Sequence, residues 1–431
     1  MSHDADTQFG KRLFGSLLPA LCLALACLLL AANPSYAQEP TAASGTEVNS
    51  SITQNTTWTK AGSPYNVTNL IHVQAGATLT IEPGVTVQVG KASDPQWSFP
   101  LLVEGALVAQ GTAAEPITFR GLRAEAGSWG GLAVGNTEIT PAHVTLDHVI
   151  VEFGGNTNFG DTATLELHAA VADINNSTFR GSKNYGVSLD FNTQINLRNS
   201  SFTGNGVGAL RVDDIGPTFS MELSNLAASG NGVYDAVVYD SVQIGVQHRF
   251  KQTGLPYVLE NGFSVENSDE EVGELTIDPG IEVRVENGFY VFGKLKALGT
   301  PTQPILLTGL TQQPGGWDGL RVSGGTAELD YVTIEYGGDA TQDWGGNLNV
   351  SSAVITMTNS ILRNSGSHGI FSDGGSPDEF ISVNVSNTTI TGSRLAAIVC
   401  ADESCNYNFN NLTVNGNGTD GIVYRSFAMA S

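Results

Sequence analysis

The chain is poor in basic residues and in histidine. It has 19 Lys and Arg against 42 Asp and Glu, which gives a formal net charge of −23. Nucleic acids and anionic membranes select basic patches, so we exclude both as partners. The seven His are scattered, which argues against a His-based zinc site. A solvated acidic surface is the favoured reading of the charge, and Ca²⁺ held by carboxylates is the alternative.

Long apolar runs are absent after the first 37 residues. That segment has a basic pair, Lys11-Arg12, an apolar stretch, Leu13–Ala32, and small residues before a cleavage point at Gln38. The pattern predicts a secretory signal peptide over residues 1–37. An uncleaved anchor of ~20 apolar residues is one alternative, and a lipoprotein acylated at Cys27 is a less favoured one. We expect a secreted or cell-surface protein with no transmembrane segment after cleavage.

Cysteine is scarce as well. Two of the four Cys fall in the signal peptide, which leaves Cys400 and Cys405. In an oxidising compartment such a pair most often forms a disulfide. Closing so short a loop stabilises the fold by about 2 kcal/mol. The spacing is not C-x-x-C and no His lies nearby, so a metal or redox pair is disfavoured.

Amphipathic helical periodicity is also missing. Residues 38–55 are polar and are expected to form a flexible leader. From residue 56 onward, short Val, Ile, Leu, Phe and Thr segments alternate with Gly, Asn, Asp and Pro about every 8–12 residues. This pattern predicts an all-β fold.

The chain does contain a long internal duplication. Leu79–Val89 returns as Leu275–Val285, and Leu146–Gly155 returns as Leu329–Gly338. Four such pairs keep their order at offsets of 196, 188, 183 and 185 residues. We therefore divide the chain into a first unit, residues 56–240, and a second unit, residues 241–431, continuous with the first.

A shorter period runs through both units. Asn recurs before an apolar residue at spacings of 23, 26, 28 and 24 residues, at Asn176, Asn199, Asn225, Asn359, Asn387 and Asn411. A parallel β-helix, in which each rung of the chain stacks on the last, repeats in this way. The Asn should occupy left-handed corners and hydrogen-bond up the stack. Inward columns should hold Phe179 with Phe202 and Ala228, and Leu362 with Ile390 and Val414.

The repeated segments resemble a known family. Leu79–Gly84, Trp129–Leu132 and Val151–Gly155, with their second copies, are similar to segments of secreted bacterial β-helix repeat proteins. Their fold is the right-handed parallel β-helix of pectate lyases. The resemblance implies one right-handed solenoid of roughly 15 rungs. Proteins of this kind are mostly secreted or on the cell surface and rarely have a defined reaction.

Two duplicated carboxylate pairs are candidate ligands for a metal or for sugar hydroxyls. They are Asp147 with Glu152 and Asp330 with Glu335. Strict alternation along a strand would place the members of each pair on opposite sides. The favoured reading is that these carboxylates bind turn amides.

A duplicated tryptophan is the second candidate. Trp129 and Trp317 each lie beside Gly. An exposed Trp could form a stacking platform for a sugar, whereas a corner Trp could pack over a neighbouring rung. Packing is the favoured reading.

His368 is the third candidate. Gly366-Ser-His-Gly-Ile370 is similar to the Gly-His-Gly motif of polygalacturonases, which also need paired carboxylates and a basic motif further on. Asp213-Asp214 lies in the other unit and no basic motif follows. A lyase would need a basic residue and a cation, and neither Asp339–Asp343 nor Asp373–Glu379 has Ca²⁺-loop spacing. An ordinary rung corner is the favoured reading of His368.

We predict a non-enzymatic extracellular or cell-surface protein for adhesion, carbohydrate binding or envelope structure. The alternative is a carbohydrate-active enzyme, either a polysaccharide lyase or a glycoside hydrolase. Carboxylates clustered with a basic residue on one face would favour this alternative. An ice-binding solenoid ranks last, because Thr78-Leu-Thr80 has no partner at a steady one-rung spacing.

Overall fold

A computed structural model describes residues 44–90, 100–135, 141–156, 163–216, 218–240, 242–268, 271–373, 380–401 and 405–424. The described residues belong to one compact unit, Ala42–Ser431. The predicted signal peptide lies outside them.

The first unit is built from short strands. A 3-10 helix spans Lys60–Gly62. The strands are β1 (Thr46–Val48), β2 (Thr56–Trp58), β3 (Tyr65–Val67), β4 (Ile71–Val73), β5 (Thr78–Ile81), β6 (Thr86–Val89), β7 (Leu101–Val103), β8 (Ala106–Gln110), β9 (Ile117–Gly121), β10 (Leu132–Gly135), β11 (Ala142–Asp147), β12 (Val149–Glu152), β13 (Ala163–His168), β14 (Ala170–Asn175), β15 (Thr178–Arg180), β16 (Tyr185–Asp190), β17 (Gln194–Arg198), β18 (Ser201–Thr203), β19 (Gly208–Val212), β20 (Ser220–Ser224), β21 (Ala227–Ser229) and β22 (Tyr234–Asp240).

The second unit continues in the same manner. Its strands are β23 (Gln243–Ile244), β24 (Gln247–Phe250), β25 (Tyr257–Glu260), β26 (Phe263–Val265), β27 (Glu274–Ile277), β28 (Glu282–Val285), β29 (Phe289–Val291), β30 (Lys294–Leu298), β31 (Ile305–Gly309), β32 (Leu320–Ser323), β33 (Thr326–Asp330), β34 (Val332–Glu335), β35 (Gly346–Ser351), β36 (Val354–Thr358), β37 (Ile361–Arg363), β38 (His368–Ser372), β39 (Ile381–Ser386), β40 (Thr389–Thr391), β41 (Ala396–Cys400), β42 (Cys405–Asn410), β43 (Thr413–Asn415) and β44 (Thr419–Tyr424).

These strands form five parallel sheets. Sheet I runs from β1 to β21 and sheet II from β2 to β20, while sheet III runs through both units from β4 to β43. Sheet IV runs from β23 to β44 and sheet V from β24 to β42. Most strands pair with the strand three places later, so a rung contains three strands. The fold is the predicted all-β parallel β-helix. Sheet III has 14 strands, and the total of roughly 15 rungs stays a prediction.

Asparagine residues form many of the corners between strands, as predicted. All six repeated Asn have left-handed backbones, with φ between 48° and 53°. Asn tolerates this conformation better than other non-glycine residues. Asn225 Nδ2 donates to Asn199 Oδ1 at 2.8 Å, and Asn199 Nδ2 donates to Asn175 Oδ1 at 2.9 Å. The corner amides therefore form a ladder along the solenoid.

The core consists of stacked inward columns. Phe179 stacks on Phe202 with ring centroids 5.6 Å apart, and Phe202 pairs in register with Ala228. In the second unit, Leu362 pairs with Ile390, and Ile390 with Val414. Both predicted columns are present. Apolar side chains pack within a rung, as Trp58 stacks on Tyr65, and against the adjacent rungs, as in other solenoids.

Part of the segment expected to be a flexible leader is folded. Thr46–Val48 pairs with β3. Ile52 is buried, and its backbone N–H donates to His72 O at 2.8 Å. The prediction differs from the structure here because a polar segment can pair through its backbone with an open strand edge.

The two units are offset by one face around the solenoid axis. Leu79–Val89 occupies β5 and β6 in sheets II and I, whereas Leu275–Val285 occupies β27 and β28 in sheets V and III. In the first unit, sheet III holds the strand that follows sheet I in each rung, as β7 follows β6. In the second unit, sheet III holds the equivalent of the sheet I strand, since β28 is the second copy of β6. As a result, matched positions of the two copies lie on different faces.

Candidate functional site

Asp147 and Asp330 each end a strand before a left-handed corner. Asp147 Oδ1 accepts a hydrogen bond from Asn176 Nδ2 at 2.9 Å, and Asp330 Oδ1 accepts one from Asn359 Nδ2 at 2.8 Å. Asp330 thus lies at the start of the corner ladder of Asn359, Asn387 and Asn411, whereas Asp147 binds the single corner amide of Asn176. In this position each carboxylate accepts a hydrogen bond from a side-chain amide of the next rung.

Glu152 and Glu335 lie beyond the corner, on another sheet. Both are buried, and each binds an arginine of the next rung. Arg180 Nε donates to Glu152 Oε2 at 2.8 Å, and Arg363 Nε donates to Glu335 Oε2 at 2.6 Å. The corner separates each Glu from its Asp. Among the described residues, no group of His, Cys, Asp and Glu is arranged to hold a metal ion.

The two duplicated tryptophans are buried. Trp129 is 0% exposed and Trp317 is 3% exposed. Their indole Nε1 atoms donate to the backbone carbonyls of Glu152 at 2.8 Å and Glu335 at 2.9 Å. A buried ring has no free face for a sugar, so the stacking-platform alternative does not fit the structure. Each Trp closes a corner by packing and by this hydrogen bond.

His368 is buried at the start of β38, with both ring nitrogens engaged. The Ala396 amide donates to Nδ1 at 3.0 Å, so Nε2 carries the proton and donates to Asp343 O at 3.0 Å. With both nitrogens held by backbone groups, the imidazole is not free to act as a base. The hydrolase-like reading of His368 therefore does not fit the structure.

Cys400 and Cys405 form the predicted disulfide. Their sulfur atoms are 2.11 Å apart and their Cα atoms 6.2 Å apart. The bond joins β41 to β42 near the C-terminal end of the described rungs.

The structure brings together acidic residues that the sequence analysis did not combine. On the outer face of sheet III, His168 pairs in register with Asp190, and Asp240 with Glu260. Asp213 directly follows Val212, which pairs with Leu189 on one side and Tyr239 on the other. One outward column therefore contains His168, Asp190, Asp213, Asp240 and Glu260. Only Asp213 was noted from the sequence.

Glu166 lies on the same face, two residues before His168. It pairs in register with Ser188, which pairs with Arg211. The Ala163 backbone N–H donates to Glu166 Oε1. Glu166 is partly buried. We call Glu166, Asp190, Arg211, Asp213 and Asp240 the acidic cluster.

Arg211 is the cation of the acidic cluster. Its guanidinium lies 2.5 Å from Asp213 Oδ1 and 2.6 Å from Asp240 Oδ2. It also lies over the Tyr185 ring, 5.5 Å from the centroid. Without this cation, like charges on adjacent strands would repel one another. One arginine faces several carboxylates, so the net charge of the acidic cluster is negative.

This environment raises the pKa values of several carboxyl groups. Burial raises the pKa of Glu166 to about 8, and the neighbouring Asp213 and Asp190 add to the rise against the Ala163 hydrogen bond. Burial also raises the pKa of Asp190, opposed by His168. It raises that of Asp213, opposed by Arg211. Glu166 is therefore a neutral acid at pH 7.

The second unit lacks this cluster at its matching positions on sheet IV. Asn349 occupies the position in the second copy that matches Glu166. It pairs in register with Phe371, as Glu166 pairs with Ser188. In the aligned copies, Val399 replaces Arg211 and Ala401 replaces Asp213, while Asp373 matches Asp190. The same rungs therefore fold without most of the charges.

Rung spacing is the signal that could have revealed the acidic column. Asp190, Asp213, Asp240 and Glu260 lie 23, 27 and 20 residues apart. Each interval is close to one rung. A rung-by-rung alignment would have stacked them, whereas Glu166 belongs to a neighbouring column and has no such period.

The stacked parallel sheets define a parallel β-helix protein, and the acidic column is a feature of its outer face. Residues 50–201 match the family model of the pectate-lyase-like β-helix domain. The match shows a similarity to that family over this part of the chain, and the ladder of sheet III continues the parallel β-helix architecture beyond it. Searches of curated proteins and of solved structures found no match. No helix within the described ranges is long and apolar enough to cross a membrane.

Proposed function

We propose that the first unit carries a general acid–base site for glycoside hydrolysis, with Glu166 and Asp190 as its two carboxyl groups. The contrast between the two units is the observation that carries the proposal. Partly buried like charges cost stability, and the second copy folds with Asn349, Val399 and Ala401 at matching positions. Charges that the fold does not require support a role in function.

The two carboxyl groups belong to neighbouring strands and lie on the same outward face. Glu166 pairs with Ser188, and Asp190 lies two residues beyond Ser188. The Cα atoms of Glu166 and Asp190 are therefore about 8 Å apart. Inverting glycosidases hold their carboxyl groups roughly 6.5–9.5 Å apart to leave room for a water molecule, and this backbone spacing allows the two side chains to reach such a separation.

Each carboxyl group has one task in this proposal. Protonated Glu166 donates its proton to the glycosidic oxygen as the bond from that oxygen to the anomeric carbon breaks. Ionised Asp190 takes a proton from water, and the water oxygen bonds to the opposite face of the anomeric carbon. His168 Nδ1 lies 2.7 Å from Asp190 Oδ1 and positions it.

The charge of the site favours a neutral or amino-sugar polymer as substrate. The negative cluster would repel a uronate, and the Arg211 guanidinium is committed to Asp213 and Asp240. A polysaccharide lyase needs a cation to neutralise a uronate carboxylate. Of the two predicted enzyme classes, a hydrolase therefore fits better than a lyase.

Release of reducing ends from neutral, amino-sugar and acidic polysaccharides by the full mature chain tests the proposal. We expect turnover of a neutral or amino-sugar polymer, reduced at least roughly 100-fold by Glu166→Gln. The rate should fall as pH rises through about 8, the pKa of Glu166, because the acid loses its proton. Glu328→Gln, an exposed carboxylate on sheet V, is the matched control. Full activity in Glu166→Gln, or no turnover of any polymer by the wild type, would refute the proposal.

The second candidate function is carbohydrate binding without turnover, as in adhesion or envelope structure. It is favoured by the full engagement of the Asp213 carboxylate, since Ser188 Oγ donates to Oδ2 at 3.1 Å while Arg211 binds Oδ1. Binding on a glycan array without reducing-end release would support it. Both candidates place the protein outside the cell, which rests on the signal-peptide pattern of residues 1–37. Repeating the array with a chelator tests the predicted alternative of Ca²⁺.

A further inference from the structure

The second unit has a groove on the outer face of sheet IV. Its volume is about 350 Å³, at the lower end of the range for small-ligand sites. Two outward columns from the rungs of β29, β32, β35 and β38 form its lining. Rungs stack about 4.8 Å apart, so four of them give a groove about 14 Å long.

Arg321 supplies a cation at this groove. It is exposed and makes no ion pair or hydrogen bond with a described residue. Other arginines of the solenoid differ, since Arg180 and Arg363 each bind a buried glutamate. A guanidinium without a carboxylate partner is available to bind an anionic group of a ligand in a bidentate manner.

The rest of the lining suits a hydroxylated ring. It includes one carboxylate, that of Asp373, which lies two rungs from Arg321 and in the other outward column, where it can accept hydrogen bonds from sugar hydroxyls. Ser323 and Ser351 are half-buried beside Arg321, and their hydroxyls have no hydrogen-bond partner among the described residues. Phe292 is 38% exposed and Phe371 is buried, which gives the groove apolar surfaces. Apolar surface with a few convergent polar groups is typical of small-ligand sites.

Asn349 makes the floor of the groove rigid. It is 5% exposed, and its Nδ2 donates to the backbone carbonyls of Asp318 and Gly346, both at 3.1 Å. A fixed floor lowers the entropy cost of binding.

We propose that this groove binds an anionic saccharide, whose carboxylate or sulfate is held by Arg321 and whose hydroxyls are held by Ser323 and Ser351. The ring of the sugar lies against Phe292. The groove is separate from the acidic cluster, because sheet IV belongs to the second unit and the cluster to the first. The proposal therefore does not depend on hydrolysis.

Calorimetric titration of the full mature chain tests the groove with three probes of equal length: a uronate trisaccharide, a sulfated trisaccharide and a neutral trisaccharide. We expect at least one anionic probe to bind more tightly than the neutral one, and the better of the two identifies the anionic group. Arg321→Gln should weaken that binding roughly 10-fold or more, since hydrogen bonds to charged groups contribute about 1.5–3 kcal/mol.

Two further variants make the result specific. Phe292→Ala should also weaken binding, through loss of ring contact. Arg249→Gln is the matched control, because Arg249 is an exposed arginine of sheet V that pairs with Asp278. Equal binding of the neutral probe, no loss in a folded Arg321→Gln variant, or no binding of either anionic probe would each overturn the proposal. Reducing-end release is measured separately, so failure of this site is distinguishable from failure of the hydrolase.

Discussion

Glu166 and Asn349 occupy the same position in the two copies of the long unit, yet their chemistry differs. Burial and the neighbouring aspartates make the ionised form of Glu166 less favourable than the protonated form. The pKa of Glu166 therefore rises to about 8. An asparagine at that position has a shorter side chain that cannot ionise. At the scale of single residues, the duplication has therefore preserved packing while the polar chemistry diverged.

Trp129 illustrates a residue that both copies retain for packing. Trp129→Phe removes the Nε1 donor and with it a buried hydrogen bond to the Glu152 carbonyl. We expect the free energy of unfolding to fall by about 1–3 kcal/mol, measured by chemical denaturation.

Trp344→Phe is the control for that substitution. Trp344 is 52% exposed, so its replacement should change the free energy of unfolding by no more than about 0.5 kcal/mol. Equal effects of the two substitutions would contradict the structural role of Trp129.

At the scale of elements, the corners determine how rungs connect. Asn199 has φ 49° and both accepts and donates a ladder hydrogen bond. Both Asn199→Gly and Asn199→Val remove these two bonds, but only valine strains the left-handed backbone. We expect a loss of about 1 kcal/mol for glycine and about 1–2 kcal/mol more for valine. Denaturation midpoints check the order, and valine tolerated as well as glycine would contradict it.

The elements could be predicted from the sequence, whereas the candidate site could not. The recurring Asn and the inward Phe179 and Phe202 repeat at one-rung intervals, so their stacking follows from the period alone. The acidic cluster depends on register between strands more than 20 residues apart, where Glu166 aligns with Ser188 and Arg211. Local sequence around Glu166 contains no sign of those neighbours.

His368 and Trp129 are the opposite case. Their local motifs resemble functional ones, but burial decides their roles, and burial depends on which rung lies above. For both residues, the sequence analysis favoured a structural role at a rung corner over a ligand-binding or catalytic role.

At the scale of the whole molecule, the offset of one face separates the two copies of each site. The acidic cluster lies on sheet III, while its matching positions lie on sheet IV around the groove with Arg321. The duplication therefore does not form one continuous binding face. It presents an acidic face in the first unit and a groove with an unpaired cation in the second.

The most direct test is a titration of the Glu166 carboxyl carbon by NMR, with ¹³C-labelled glutamate in the full mature chain and Glu166→Gln to assign the signal. The account predicts a midpoint near pH 8, so that the acid is protonated at neutral pH. A midpoint in the ordinary range near 4.3 would contradict it, because Glu166 would then be ionised at neutral pH and could not serve as the general acid.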